Sequence, residues 1–449
     1  MSQAKVVLIS CGEKVYPQEW LMNVISEVVD GIKKLDLDLE GTYVAMDEAS
    51  AVYVSHQLDQ KRFDLLILHL VSWHITPNLM QIIRDYKQVP MLVWATGGRT
   101  DANAKLHSPA APAAITALIP MMREMGFKYK AIYEQPDEPH HFKEVENFAK
   151  VAYAFRRVRN SRIGFIGYAD MGLYTCAYDK AALYNKLGID AEDYFSYEIG
   201  KLMDEAPQEK ISDVVHEIRQ KVTFDSVISE KILDKVARLY YVMKYKVKER
   251  GLVAISIKCV DGVTKFMGVN PCMAQSLLAN KDLSVICECD AYGLVTNVMM
   301  SMLTGQTSTF MENYEFFKDE ILIGTCGFMP FDFADGEIRA KSSNLGDFFV
   351  GISNISKVKT GTMTFARLFK SGDRYKMFLS KGEAQAPMKW IELGWEEPTP
   401  DFPSVLLKLE MSVQHYMENV PGQHIILTCG DHVEQMKTLC ALMEIEVVC

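Results

Sequence analysis

Two acidic residues lie close together in the segment CECDAYG, directly after the apolar run LSVI. Glu288 and Asp290 are two positions apart, so their side chains share one face if the strand continues through them. Two carboxylates on one face repel each other unless a cation or a shared proton lies between them. Alternatively, one carboxylate is exposed and Asp290 is the N-cap of the helix predicted over AYGLVTNVMMSML. The local residues leave both interpretations open.

One histidine could complete a site with these carboxylates. His424, in PGQHIILTCGD, follows a turn and opens an apolar strand, which would hold its imidazole on a rigid element. A lone histidine in this position is usually structural. Beside two carboxylates, however, it makes an oxygen-rich site with one imidazole, which suits Mn²⁺ or Mg²⁺ better than structural zinc. We therefore predict Glu288, Asp290 and His424 as candidate metal ligands.

Aromatic and polar residues near two other strand ends could line a sugar site. The segment HLVSWH places His69, Trp73 and His74 at the end of a predicted strand. The alternative for His69 is core packing, and for Trp73 it is partial burial. Arg99 follows two glycines and could contact an anionic or polyol ligand from a loop, although a surface arginine is more common.

Three stretches of the chain differ in pattern and must position these residues. In residues 1–157, runs such as KVVLIS and LLILHLV alternate with amphipathic segments, which is typical of βαβ units in a parallel sheet. The rhythm restarts in residues 158–318, where the strand LSVICECD ends at the sheet edge that usually binds ligands. In residues 319–449, GTMTFARLFKSGDRYKMFLSKGEA predicts an antiparallel hairpin. We predict two Rossmann-like α/β domains followed by a C-terminal β-rich, antiparallel barrel-like domain.

Composition excludes several classes of function. The 449 residues exceed the size of a single core, and 49% apolar with 24% charged residues is typical of globular proteins. A net charge of −10 provides no global basic field, so we expect no nucleic-acid partner. Ten cysteines without a CxxC pair indicate reduced thiols. No apolar run reaches the roughly 18 residues of a membrane span, and the N-terminal apolar run is too short for a signal peptide. We expect a cytoplasmic protein with no membrane association.

Several motifs, taken in order, resemble one family. They are IKC, NPCMAQSLLANKDLSVICECDAYGLVTNVMMSMLTG, GTCGFMP, TGTMTFARL, KGEA and GQHIILTCGD. Together they resemble the catalytic half of the L-fucose and L-arabinose isomerase superfamily, and IGFIGYADMGLYTCAYD is similar to the start of its second domain. The first domain matches only in architecture. The resemblance implies aldose–ketose isomerisation of a pentose, deoxyhexose or modified hexose through a cis-enediol at a divalent metal. Mn²⁺ is the first candidate, with Mg²⁺ or Co²⁺ as alternatives.

The resemblance also implies roles for particular residues. Asp290 and Glu288 correspond to the family's acidic ligand or base, and His424 corresponds to its histidine ligand. Lys258, in IKC, would be a cation that orients the substrate. In the family, the first domain of a neighbouring subunit completes the pocket, which implies a homo-oligomer. We predict substrate contacts from Gln275, Trp73, Arg99 and Gln423.

Three positions depart from the family pattern. Gln275 in AQSLL replaces an acidic residue, and an amide can ligate a hard metal but cannot act as a general base near neutral pH. Thr325 begins the segment TCG where many relatives have HCG, and Gln423-His424 replaces a histidine pair. Either Glu288 and Asp290 carry both roles, or the reaction is altered or lost. The alternatives are a non-catalytic sugar-binding or regulatory protein, and a metal-dependent lyase or epimerase that uses the same enediolate.

Overall fold

A computed structural model describes residues 3–344, 350–387 and 402–448. The chain divides into two compact units, Met1–Arg156 and Arg157–Cys449. The predicted boundary near residue 318, between the second α/β domain and the barrel-like domain, stays a prediction.

The first unit is built on a five-stranded parallel sheet. Its strands are β1 (Lys5–Cys11), β2 (Asp38–Ala45), β3 (Leu65–Leu70), β4 (Met91–Ala95) and β7 (Tyr129–Tyr133), with a small ribbon of β5 (Arg99–Thr100) and β6 (Leu106–His107). The helices up to residue 159 are α1 (Gln18–Ile32), α2 (Glu48–Leu58), α3 (Thr76–Ile83), α4 (Ala111–Glu124) and α5 (Phe142–Arg159). The strand order is β2-β1-β3-β4-β7. All residues of β3 and β4 are buried, because helices cover both faces of a parallel sheet.

The second unit begins with a four-stranded parallel sheet. Its elements are β8 (Arg162–Ile166), α6 (Lys180–Leu187), β9 (Asp190–Tyr194), α7 (Ser196–Glu205), α8 (Gln208–Lys221), β10 (Thr223–Phe224), α9 (Glu230–Arg250), β11 (Ala254–Ile257), α10 (Lys265–Met267), α11 (Cys272–Leu278), β12 (Ser284–Cys287) and α12 (Ala291–Thr304). The strand order is β12-β11-β8-β9. Every residue of β11 and β12 is buried, and the loops after β8, β11 and β12 leave the same carboxyl edge.

The last part of the chain is rich in antiparallel strands. Its elements are β13 (Thr309–Phe316), β14 (Glu320–Gly324), β15 (Arg339–Asn344), β16 (Val350–Asn354), β17 (Gly361–Ser371), β18 (Arg374–Gln385), β19 (Ser404–Leu409), α13 (Val413–Asn419), β20 (His424–Cys429), α14 (Val433–Leu442) and β21 (Glu446–Val448). Six antiparallel strands close a barrel in the order β17-β20-β13-β14-β19-β18, and β21 joins β18 from outside the ring. A separate small sheet contains β10, β15 and β16.

The predicted fold class is confirmed: two parallel α/β sheets precede a C-terminal antiparallel barrel. The predicted hairpin is also confirmed, since β17 and β18 pair up to Ser371 and Arg374 around a two-residue loop. Gly372 in that loop has φ +60°, a backbone conformation that glycine adopts without steric cost. None of the helices in the described ranges combines the length and the hydropathy needed to cross a bilayer.

Candidate acid–imidazole site

The first part of the site lies where β12 ends. The strand stops at Cys287, and the backbone then turns through Glu288 and Cys289 with φ values of +66° and +50°. Two consecutive non-glycine residues in the left-handed region store strain of order 1–3 kcal/mol each, a feature that is common at functional sites. The expected continuation of the strand through Asp290 is therefore wrong, although Glu288 and Asp290 are both buried.

Asp290 caps the helix that follows, as one of the two sequence interpretations predicted. It is the N-cap of α12, and its Oδ1 accepts a hydrogen bond from Gly293 N at 3.0 Å. The same carboxylate also belongs to the buried cluster described below, so capping and clustering are compatible rather than alternative roles.

The second part of the site lies on the outer face of the barrel. His424 opens β20, as predicted, and pairs with Glu312 on the neighbouring strand β13. Met311 and Ile425, one position away on each strand, pack into the barrel core. Because side chains alternate along a strand, Glu312 and His424 point away from that core. Phe310 packs on the imidazole with ring centroids 4.4 Å apart.

The imidazole of His424 lies between two carboxylates. Its Nδ1 is 2.8 Å from Asp290 Oδ2, and its Nε2 is 3.1 Å from Glu288 Oε2. The first contact is a hydrogen bond, whereas the second is close in distance but lacks hydrogen-bond geometry, so His424 Nε2 and Glu288 Oε2 have no hydrogen-bond partner among the described residues. Two orphaned, fully buried ligand-type atoms beside each other fit a shared cation.

A fully buried arginine adds positive charge behind Asp290. Arg367, on β17, donates to both oxygens of the Asp290 carboxylate, with Nη2 3.2 Å from Oδ1. Burial alone would raise the pKa of Asp290, but the charge of Arg367 and the bond to His424 hold that pKa well below its usual value. Asp290 is therefore ionised throughout the neutral range.

His424 responds in the opposite direction. Burial alone would lower its pKa, but the bond to Asp290, followed by the contacts with Cys176 and Glu288, raises the pKa well above its usual value. Without a cation on the Nε2 side, the ring therefore carries a proton that both carboxylates attract.

Glu312 is a site residue that was not predicted from the sequence. This side chain is partly buried, and burial, followed by the charge of Glu288, raises its pKa to about 7. In the sequence, Glu312 is the fourth residue of the strand TFMENYEF and resembles any half-exposed strand residue. Only the pairing with His424 places it at the site.

A second set of ligand-type atoms lies on the other side of the imidazole. Cys176, Asp290 and His424 each offer an atom within 4.8 Å of the others, and all three residues are buried, so this group could hold a metal. Cys176 Sγ is 3.9 Å from His424 Nδ1. Arg367 already neutralises Asp290 here, so electrostatics favour a hard cation on the Nε2 side instead.

Gln275 and Lys258 lie near the same sheet edge. The Gln275 amide is buried, donates to Ile286 O at 2.8 Å and accepts from Cys287 Sγ at 3.3 Å, so both ends contact β12. Lys258 follows β11, is partly buried, and makes no ion pair with any residue in the described ranges. Gly167 and Gly262 pack against its side chain, where an added Cβ would approach the Lys258 Cβ to 2.8 and 3.0 Å.

The other residues predicted to contact the substrate lie on different elements of the two units. Gln423 is exposed, its carbonyl accepts from Asn313, and its side chain contacts Glu312. Trp73 and Arg99 belong to the first unit. Trp73 is 38% exposed after β3, and Arg99 forms an ion pair with Glu27 at 2.7 Å. The roles of these residues stay predictions.

These features define an α/β-plus-barrel protein with a buried carboxylate–imidazole site, and the chain is a distant homologue of sugar isomerases. The relatives include the following three proteins, each of which is named sulfoquinovose isomerase. The protein from Alkalicoccus urumqiensis is 20% identical over 385 residues, covering 83% of each chain. The proteins from Priestia aryabhattai and Priestia megaterium are each 19% identical over 400 residues, covering 86% of this chain and 85% of theirs. No protein-family model matches the sequence.

Proposed function

We propose that this protein is a metal-dependent aldose–ketose isomerase. The observation that carries the proposal is the pair of orphaned buried atoms, Glu288 Oε2 and His424 Nε2, 3.1 Å apart and next to Glu312. Buried polar atoms without partners are rare in folded proteins, and a shared cation explains both at once. The distant homology to sugar isomerases supports the same class of reaction.

In this proposal Glu288 and His424 hold the metal, with Glu312 within reach. Carboxylates with one imidazole suit Mn²⁺ first, with Mg²⁺ or Co²⁺ as alternatives. We assign Asp290 to orienting His424 rather than to ligation, because Arg367, Gly293 N and His424 already occupy its oxygens. When bound, the cation would polarise the carbonyl and the neighbouring hydroxyl of the sugar.

Proton transfer between the two sugar carbons needs a group that titrates near neutral pH. Glu312 is such a group, because its pKa of about 7 leaves both protonation states populated. We assign it the proton shuttle that Gln275 cannot perform. The charge of Glu288 contributes to the raised pKa of Glu312, and a bound cation would offset that repulsion.

The name of the relatives and the charge at the sheet edge support a proposal for the substrate class. Sulfoquinovose, the sugar in the relatives' name, carries a sulfonate, and Lys258 makes no ion pair with the described part of the chain. We propose that Lys258 contacts the anionic end of such a sugar. Pentoses and deoxyhexoses are the neutral alternatives.

The test is metal content together with an aldose-to-ketose assay over pentoses, deoxyhexoses, hexoses and sulfoquinovose. We expect about one divalent ion per chain, lost in Glu288→Ala and His424→Gln but retained in His216→Gln, a control at an exposed position of α8. Glu312→Gln should keep the ion and lose at least 100-fold in kcat, a usual size for removing a general base. Glu315→Gln, exposed on the same strand, should behave as wild type. A metal-free, inactive wild-type protein would overturn the proposal.

One observation favours a second candidate, a non-catalytic sugar-binding protein. Gln275 and Thr325 replace proton carriers of the resembled family, and both are engaged within the protein, Thr325 through Phe328 O. In that case the sugar would bind with no turnover in any arm of the panel. A lyase or epimerase on the same scaffold would instead consume the sugar without forming the ketose.

A further inference from the structure

We propose that Arg367 is a positioning residue that fixes Asp290, and through it presents Nε2 of His424 to the cation. This inference rests on the proposed function for the identity of the bound group. Within the described part of the chain, Arg367 forms no hydrogen bond or ion pair with Glu288 or with Nε2 of His424, so its effect must pass through Asp290.

Arg367 joins three separate segments of the second unit. Besides both oxygens of Asp290, its guanidinium donates to His424 O at 3.2 Å and to Thr175 O at 3.1 Å. It therefore contacts the start of α12, the start of β20 and the loop that carries Cys176. Arg367 and Asp290 are both 0% exposed, so water does not compete for these bonds.

The absence of a side chain at Gly422 leaves space for the guanidinium of Arg367. A Cβ added at Gly422 would lie 2.7 Å from Arg367 Nε, so the chain entering β20 passes directly against the guanidinium. A planar guanidinium can bind both carboxylate oxygens and two carbonyls at once, whereas a lysine ammonium is a single point of charge. Arginine is the residue type that this geometry requires.

The consequence for His424 is a matter of donors and acceptors. An Asp290 carboxylate held by Arg367 can only accept hydrogen bonds, so His424 Nδ1 must be the donor across the 2.8 Å contact. The neutral ring then carries its lone pair on Nε2, towards Glu288. Carboxylates that orient a ligating histidine in this way usually change metal affinity or activity by about 10- to 100-fold.

The experiment compares Arg367→Ala and Arg367→Lys with wild type. Mn²⁺ affinity is measured from the electron paramagnetic resonance signal of the free ion, which is independent of turnover. We expect a 10- to 100-fold weaker affinity in Arg367→Ala, partial recovery in Arg367→Lys, and recovery on adding millimolar guanidinium to Arg367→Ala. Arg339→Ala removes an exposed arginine that binds Asp225 in the same two-pronged way, and should leave affinity unchanged.

A second measurement separates this inference from the proposed function. In protein labelled with ¹⁵N-histidine, the Nδ1 proton of His424 should give a downfield resonance, assigned by its loss in His424→Gln. This resonance should disappear in Arg367→Ala and return when guanidinium is added. Neither result depends on whether the protein is able to bind Mn²⁺. If the wild-type protein binds no Mn²⁺, that result contradicts the proposed metal site but not the positioning role of Arg367. A resonance and an Mn²⁺ affinity that persist in folded Arg367→Ala contradict the positioning role.

Discussion

Breaking the buried ion pair should strongly destabilise the protein. Asp290→Asn removes the charge that balances Arg367, and both side chains are fully buried. Removing one partner of such a pair costs about 3–5 kcal/mol, because the other charge stays buried and uncompensated. The helix cap should be retained in this variant and contribute little to this figure, since asparagine caps helices about as well as aspartate.

The double variant Asp290→Asn/Arg367→Met tests the cause of that loss. It removes both charges, so its destabilisation should be smaller than the sum of the two single effects by about 2–3 kcal/mol. The free energies of unfolding come from urea titrations followed by far-ultraviolet circular dichroism. Asp225→Asn, which breaks an exposed pair with Arg339, is the control and should cost under about 1 kcal/mol. A loss below about 1 kcal/mol for Asp290→Asn, or additive single effects, would refute the reasoning.

Three further predictions concern a glycine with positive φ, the pKa of a buried histidine, and the side of His424 on which the ion binds. Gly167→Ala should destabilise the protein by about 1–3 kcal/mol more than Gly336→Ala, measured by urea unfolding, because both glycines have φ +95° but only Gly167 would bring a Cβ against a neighbour. His69→Gln should remove a pH dependence of stability. Burial, followed by the charge of His140, lowers the folded-state pKa of His69 to about 3, so the unfolded chain binds a proton that the folded one does not. Wild-type stability should therefore fall by about 1.4 kcal/mol per pH unit more steeply than that of the variant from pH 6.5 towards 3; parallel curves would contradict this. Cys176→Ala should leave Mn²⁺ affinity unchanged, since its thiol faces Nδ1 of His424; a tenfold loss in a binding titration would place the ion on that side instead.

Much of the fold could be predicted from local pattern. β-branched runs alternating with amphipathic segments indicated parallel sheets, because strands covered by helices on both faces must be apolar throughout. The turn between β17 and β18 was visible because Gly372 lies between two alternating runs. Asp290 and His424 were recognised because each is a polar residue beside an apolar run, Asp290 after one and His424 before one.

The partners of those residues could not be predicted in the same way. Arg367 lies 77 positions from Asp290, and His424 lies 134 positions from it, so no local periodicity links them. Arg367 lies within an apolar strand, and Glu312 resembles an ordinary strand carboxylate until β13 pairs with β20. The end of β12 at Cys287 could not be predicted either, because glutamate and cysteine do not favour the left-handed backbone conformation that Glu288 and Cys289 adopt.

The sequence by itself determined the fold class, the order of the elements and the acidic and imidazole groups at their ends, since each depends on neighbouring residues. Only the tertiary structure decided which charged groups interact with one another. Closure of the barrel brings Glu312, Arg367 and His424 to the sheet edge that carries Glu288 and Asp290. The energy of an electrostatic interaction depends on the distance between two groups in space and not on their separation in the chain. The sequence therefore shows which charged groups are present, and the tertiary structure shows which of them interact.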